Sequence, residues 1–266
     1  VEALTKKEIR FRFYREGLGI LRRAQIPFLV TGAFAFENYT GIRRRTKDLD
    51  IFLSRKDSQR ALQAFAQAGY RAELKFSHWL GKVYHQNDKD FIDLIFSSGN
   101  GVCDVQPEWF NYAVPGTILH TPVEFSAPEE MIWQKAFVME RERFDGADVA
   151  HLLRSQGRDL DWPRLLRHFD DHWRVLLTHL ILFGYVYPGE RTKIPNWVYQ
   201  NLLGRLQNEF CDSPAMEPVC QGTFLSRSQY RTDIEYWGYR DPRPAATMTL
   251  KEAERWTAAG ESEPTD

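Results

Sequence analysis

Hydrophobic positions in the first half of the chain alternate between a helical and a strand period. Residues 4–26 place Phe11, Tyr14, Leu18 and Leu21 at helical spacing, and Thr5 with Glu8 three residues on forms a capping-box pattern. Pro27 closes that helix, and "PFLVT" reads as a strand. Gly32 punctuates, and "AFAFENY" predicts one or two helical turns. A second strand follows in "LDIFL", whose period of two puts Asp48 and Asp50 on one face and Leu49 and Ile51 on the other. Residues 56–69 predict an amphipathic helix, capped by Asp57 or Ser58 and ended by Gly69. Strands are expected over 70–74, 79–86 and 89–96, the last two joined as a hairpin by Asn87-Asp88.

Residues 97–127 are rich in Gly, Pro and Ser and predict an irregular connection with short strands such as 116–121. Thereafter the pattern is helical. One helix is expected over 127–143 with Pro128 at its first position, another over 145–157, one or two over 161–188, and one over 195–210. The last fifteen residues are expected to fray. The fold class is α+β, a mixed sheet flanked by helices and followed by a mostly helical domain. The break gives domains of 1–125 and 126–266.

Composition narrows the function classes. The chain has 266 residues, 43% apolar and 27% charged, enough for one sizeable core with a smaller second domain. Its 35 basic and 36 acidic side chains leave a net charge of -1, so no global footprint for nucleic acid or anionic membrane is present. A local basic stretch does occur at Arg43, Arg44, Arg45 and Lys47. Cys103, Cys211 and Cys220 are odd in number and form no CxxC pair, which predicts free thiols in a reducing compartment. The segment from Val175 to Val186 is too short to span a bilayer, and the N-terminal region is charged through Arg15. A soluble cytoplasmic protein with no membrane partner is expected.

The chemistry concentrates on three aspartates. Asp48 and Asp50 share a strand face at roughly 6–7 Å between Cα atoms, a spacing that can hold a divalent ion. Asp93 interrupts the apolar run "FIDLIF" on the face of Phe91 and Ile95, which reads as core. Burying a carboxylate is costly unless it is neutralised. Two partners would do so: a metal ion shared with Asp48 and Asp50, or a salt bridge to Lys82, Lys89 or an arginine of 43–45. A strand that ends in Thr31-Gly32 and runs into a helix can offer backbone N–H groups to phosphate. Neither GxxxxGK[ST] nor GxGxxG is present.

With Gly32, Asp48-Leu49-Asp50 and Asp93 in this order, the chain resembles the nucleotidyltransferase superfamily, the DNA-polymerase-beta-like fold. Residues 32–53 look particularly like the branch of abortive-infection type II toxins and minimal aminoglycoside-type nucleotidyltransferases. Tyr39, Gly41, Arg44 or Arg45, and Thr46 fill that branch's further positions. A second stretch, with Lys135, Arg141 or Arg143, Asp145 and Asp148, is similar to its later motif. The resemblance covers about residues 25–155. Ala33 stands where the family has glycine or serine. The alanine keeps the backbone N–H and lacks a serine hydroxyl.

The resemblance implies a magnesium- or manganese-dependent enzyme with a nucleoside triphosphate as co-substrate. Asp48, Asp50 and Asp93 would hold the metal, and Asp93 would help deprotonate an acceptor hydroxyl. Thr31, Gly32, Ala33, Arg45, Thr46 and Lys135 would contact the nucleotide. Asp145 or Asp148 would orient Lys135 or act on the acceptor. The acceptor classes are a tRNA end, a small hydroxylated molecule such as an aminoglycoside, or a protein hydroxyl. A basic groove of Arg43–Arg45 with Arg227, Arg231 and Arg240 would favour RNA. The segment 227–244 is the second half's candidate for touching an acceptor, or a homodimer or partner contact. The rival readings are a non-catalytic, antitoxin-like module on the same fold and a metal-dependent phosphohydrolase. His168, His172 and His179 are expected to be structural, and Trp133, Trp162, Trp173 and Trp197 to pack in the core or between domains rather than to stack on bases.

Overall fold

A computed structural model describes residues 5–44, 46–86, 89–211, 217–246 and 248–260. The chain forms two compact units, Val1–Ala127 and Pro128–Asp266. In the first, helix α1 (Lys6–Arg23) carries the capping box expected of Thr5 and Glu8. Strand β1 (Leu29–Val30) leads into α2 (Gly32–Thr40), then β2 (Asp48–Phe52) and α3 (Ser58–Gln67). Strands β3 (Arg71–Phe76), β4 (Leu80–Tyr84), β5 (Phe91–Ile95), β6 (Val114–Ile118) and β7 (Thr121–Phe125) complete the unit. Among the described residues these seven strands form one mixed sheet, ordered β3-β4-β5-β2-β1-β7-β6. β2 runs parallel to β5, whereas β4 is antiparallel to β5 as expected of the hairpin. The Asn87-Asp88 turn lies outside the described residues.

One face of the sheet is the core. Leu49, Ile51, Ile92 and Leu94 are fully buried there. Helix α1 adds Phe13, Tyr14, Leu18 and Leu21, and α3 adds Ala61 and Phe65. Each such large side chain contributes about 1.5–3 kcal/mol by leaving water. Gly17 lets α1 approach β5: a Cβ there would lie 2.4 Å from Ile92 Cδ1.

The second unit is helical: α4 (Pro128–Ala136), α5 (Gly146–Gln156), α6 (Trp162–Phe169), α7 (Trp173–Val186), α8 (Asn196–Glu209), α9 (Arg231–Glu235), α10 (Arg243–Ala246) and α11 (Leu250–Ala259). Asp170, with φ +29°, breaks the chain between α6 and α7.

Three expectations are corrected. The helix expected over 127–143 stops at Ala136. Beyond it Glu140 N–H donates to Arg143 O at 2.9 Å, and Met139 bridges to Phe144. Glu140 is meanwhile engaged by Arg227 N–H at 3.0 Å and by the Ser226 hydroxyl. Local helix propensity thus loses to tertiary partners. The strand expected over 116–121 is a hairpin instead. Leu119 and His120 both adopt positive φ and form its two-residue turn. The fraying expected of the last fifteen residues does not hold for residues 252–259. α11 forms because Thr249 and Glu252 make a second capping box and Ala253 is buried.

Candidate active site

The alternation that buries Leu49, Ile51, Ile92 and Leu94 turns Asp48, Asp50 and Asp93 to the other face of the sheet. The parallel register sets Asp50 directly beside Asp93 and Asp48 beside Phe91. One carboxylate oxygen from each aspartate lies within 4.8 Å of the others, and all three residues are half-buried. The face of Phe91, Asp93 and Ile95, read from the sequence as core, is therefore corrected: it is the partly open face. Of the two partners considered for Asp93, the salt bridge is seen, and the aspartates that would share a metal ion with it are close by. The two other aspartates adjoin it, and Lys82, its cross-strand neighbour on β4, places Nζ 3.0 Å from its Oδ1.

Gly32 belongs to the same site. Its φ is +60°, a region that disfavours side chains, and a Cβ would fall 1.8 Å from Asp50 Oδ2. The first residue of α2 is thus bare backbone because Asp50 fills the space a side chain would need. Thr31 N–H donates to Asp50 O at 3.0 Å and fixes the strand end. The Thr31 side chain is buried, and its Oγ1 accepts from the Ser126 hydroxyl at 3.0 Å. Ala33 follows on α2, half-buried. Thr46 Oγ1 donates to Asp48 Oδ1. Arg45 lies outside the described residues.

Burial pushes the Asp93 carboxyl up to about 6, with Lys82 pulling it down and Asp48 pushing it further up. Three clustered carboxylates, one of them raised by burial, are suited to a hard divalent cation. The donor chemistry and the side-chain-free approach at Gly32 both fit such an ion. Sequence reasoning missed Arg10. Its Nε donates to Asp90 Oδ1 at 2.5 Å and its Nη1 to Thr46 O at 2.9 Å, tying α1 to the entries of β2 and β5. Residues so distant in the chain leave no local signal.

In the second unit Lys135 Nζ lies 2.7 Å from Asp148 Oδ2 and 3.1 Å from Asp145 Oδ2. Arg143 also grips Asp145. Burial opposes ionisation of Asp145, yet Arg143 and Lys135 hold its carboxyl down at about 2. Later basic residues are neutralised one by one. Arg227 meets Glu140, Arg231 meets Glu235, and Arg240 meets Glu217; in the first unit, Arg43 meets Glu37. His179 accepts its place structurally, with Nε2 2.9 Å from Ala136 O, and His168 stacks on Trp133. Trp162 and Trp173 are buried as expected, and Trp197 is 44% exposed. Cys103, Cys211 and Cys220 are free thiols. Among the described residues no helix is long and apolar enough to cross a membrane.

Comparison with curated protein sequences finds no match. Among solved structures, the lincomycin-bound lincosamide antibiotic adenylyltransferase LnuA aligns at 16% identity, covering 57% of this chain and 98% of its own, with a TM-score of 0.38. ANT(2")-Ia in complex with adenylyl-2"-tobramycin aligns at 14%, covering 67% and 98%, with a TM-score of 0.37. An antigenic nucleotidyltransferase-like protein from Paracoccidioides brasiliensis aligns at 14%, covering 71% and 93%, with a TM-score of 0.42. Scores this low say nothing about substrate. The family evidence is separate: residues 21–179 match the model of a family described as "Uncharacterised nucleotidyltransferase". That match spans more than half of the chain and contains Gly32, all three clustered aspartates and Lys135, so the chain belongs to this nucleotidyltransferase family.

Proposed function

We propose that the protein transfers a nucleoside monophosphate from a nucleoside triphosphate to an acceptor hydroxyl, with Asp48, Asp50 and Asp93 as the reacting centre. The convergence of those three carboxylates within 4.8 Å, with Gly32 against Asp50, carries this reading. Asp48 and Asp50, with Asp93 beside them, would hold a magnesium or manganese ion, which when bound offsets triphosphate charge. Asp93 accepts the proton of the acceptor hydroxyl, a role that a carboxyl raised to about 6 suits near neutral pH. The hydroxyl oxygen forms a bond to the α-phosphorus. The bond from that phosphorus to the β-phosphate bridge breaks, and pyrophosphate leaves with the electron pair. The N-terminal N–H groups of α2 at Gly32 and Ala33 face the same charge development.

Lys135 as a phosphate contact belongs to the same proposal, with Asp145 and Asp148 fixing its ammonium. So do the domain roles, catalytic for 1–125 and acceptor- or nucleotide-binding for 126–266. For the acceptor, the net charge of -1 favours a small hydroxylated molecule over a tRNA end.

The test is incubation with magnesium and each α-labelled nucleoside triphosphate, offering total tRNA and an aminoglycoside mixture as separate acceptors. Label transferred by the wild type and not by Asp50→Asn supports the proposal. Free nucleoside monophosphate without labelled acceptor would make the protein a phosphohydrolase. A folded protein with neither product, yet binding nucleotide, would make it a non-catalytic module.

A further inference from the structure

Lys82 is the feature of the acidic site that the proposed chemistry leaves unused. It sits on β4, and the antiparallel register places it directly opposite Asp93. Its side chain is only 16% exposed. Nζ lies 3.0 Å from Asp93 Oδ1 and 3.4 Å from the centre of the Phe91 ring. Phe91 is in turn the register partner of Asp48. The ammonium is therefore confined between an aromatic face and a carboxylate, a placement worth more than a solvent-exposed pair.

The position has a consequence for metal binding. A divalent ion coordinated by that same oxygen would stand at most about 5 Å from Nζ, the ion-pair distance plus a metal–oxygen bond of about 2.1 Å. Two positive centres so close repel strongly in a half-buried site. The same ammonium holds Asp93 in place when no other cation is near.

We infer that Lys82 is a positioning residue that serves as the resident cation at the Asp93 end of the site, so that the protein takes one divalent ion per nucleotide, at the Asp48–Asp50 end. This rests on the reading above of the three aspartates as the reacting centre. Lys82 aims Asp93 at the acceptor hydroxyl and fills the place that a second ion would otherwise occupy.

Manganese binding to the full chain tests it, by calorimetry and by electron paramagnetic resonance, with and without an α,β-methylene nucleoside triphosphate. The wild type is expected to bind one ion. Lys82→Met is expected to bind the first ion about tenfold more tightly, because a repelling charge is gone, or to accept a second. Its kcat should fall while KM for the nucleotide stays within about twofold, because Asp93 is no longer held. Lys82→Arg should behave as the wild type in ion count. A merely structural lysine would weaken binding and turnover together. Two ions on the wild type would overturn the inference whatever the variants do. So would equal affinity and count in the wild type and Lys82→Met. Binding of no ion by any folded form would remove the proposed metal-dependent function itself, a different result from either.

Discussion

Glu129 and Glu130, in the first turn of α4, both direct an oxygen to Arg164, whose Nη2 lies 2.5 Å from Glu129 Oε2 and whose Nη1 donates to Glu130. Glu129 also accepts from Asp161 N–H at 2.7 Å, and His168 Nε2 lies 3.3 Å from Glu130 Oε1. Asp48, Asp50 and Asp93 instead bring one oxygen each within 4.8 Å of the others, with Lys82 beside Asp93. Both groups are withdrawn from water. In the helical unit each carboxylate has a guanidinium and a helix N-terminus to balance it. In the sheet unit three carboxylates gather with Lys82 at the Asp93 end, and burial, with a smaller push from Asp48, raises the Asp93 carboxyl against the pull of Lys82. Buried carboxylates that meet a guanidinium support a fold, whereas carboxylates gathered at one place are candidates for holding a cation.

The largest expected effect breaks the sheet cluster. Asp50→Asn should lower nucleotidyl transfer by at least about a thousandfold while far-ultraviolet circular dichroism and melting temperature stay near the wild type. Retained activity would sink the assignment of the site. Arg164→Met should do the reverse. It strands two buried carboxylates, and urea denaturation should show a loss of about 3–5 kcal/mol, the same with and without divalent ions. An unchanged midpoint would mean that Glu129 and Glu130 are solvated and that the contrast between the units is wrong.

A pH series sharpens the contrast from the sheet side. The Asp93 carboxyl sits at about 6 in the fold against an ordinary 3.8. The folded state therefore holds its proton more tightly than the unfolded chain does. The Asp93 contribution to stability should be greatest below about pH 4, decline as pH rises through 6, and level off above, opposite in sign to that of Asp145, whose lowered carboxyl costs stability as pH falls below about 4. The decline should reach at most about 3 kcal/mol, measured in a chelator. Asp93→Asn should lack that component of the slope. A wild-type curve that is instead superimposable on the variant's would show that Asp93 ionises without cost.

Much of this was legible in the residues. The strand period placed Asp48 and Asp50 together, the capping box gave the start of α1, and Gly32 was recognised as a turn that a ligand could approach. The reason for Gly32 was not legible, since it depends on Asp50 Oδ2 occupying the place of its missing Cβ. Nor could the face of Asp93 be read from "FIDLIF". Phe91 and Ile95 are apolar enough to pass for core, and only the pairing with β2 shows which side is open. α4 was overextended because Glu140 has good helix propensity, and nothing local announces its capture by Ser226 and Arg227. The Glu129–Arg164 cluster spans two helices and has no signature in either.

The smallest expected effect concerns Thr46, whose hydroxyl donates to Asp48 Oδ1 and lies 3.2 Å from Asp48 O. Arg10 holds the backbone carbonyl of Thr46, not its side chain, so Thr46→Val removes the hydroxyl and leaves that clamp intact. A hydrogen bond to a charged acceptor contributes about 1.5–3 kcal/mol in favourable cases, and partial exposure reduces it here. Overall stability should therefore change by no more than about 1 kcal/mol. Manganese affinity should fall about fivefold, because Asp48 is no longer held in one orientation and must be ordered on binding. This change is opposite in sign to that of Lys82→Met, although both substitutions remove a polar partner from a site aspartate. The hydroxyl orients a ligand oxygen without opposing a cation, while the ammonium opposes it by charge. If Thr46→Val instead tightened manganese binding, the hydroxyl would be a competitor for Asp48, and the sheet cluster would be closer to the ion-paired network of Arg164 than its gathered carboxylates imply.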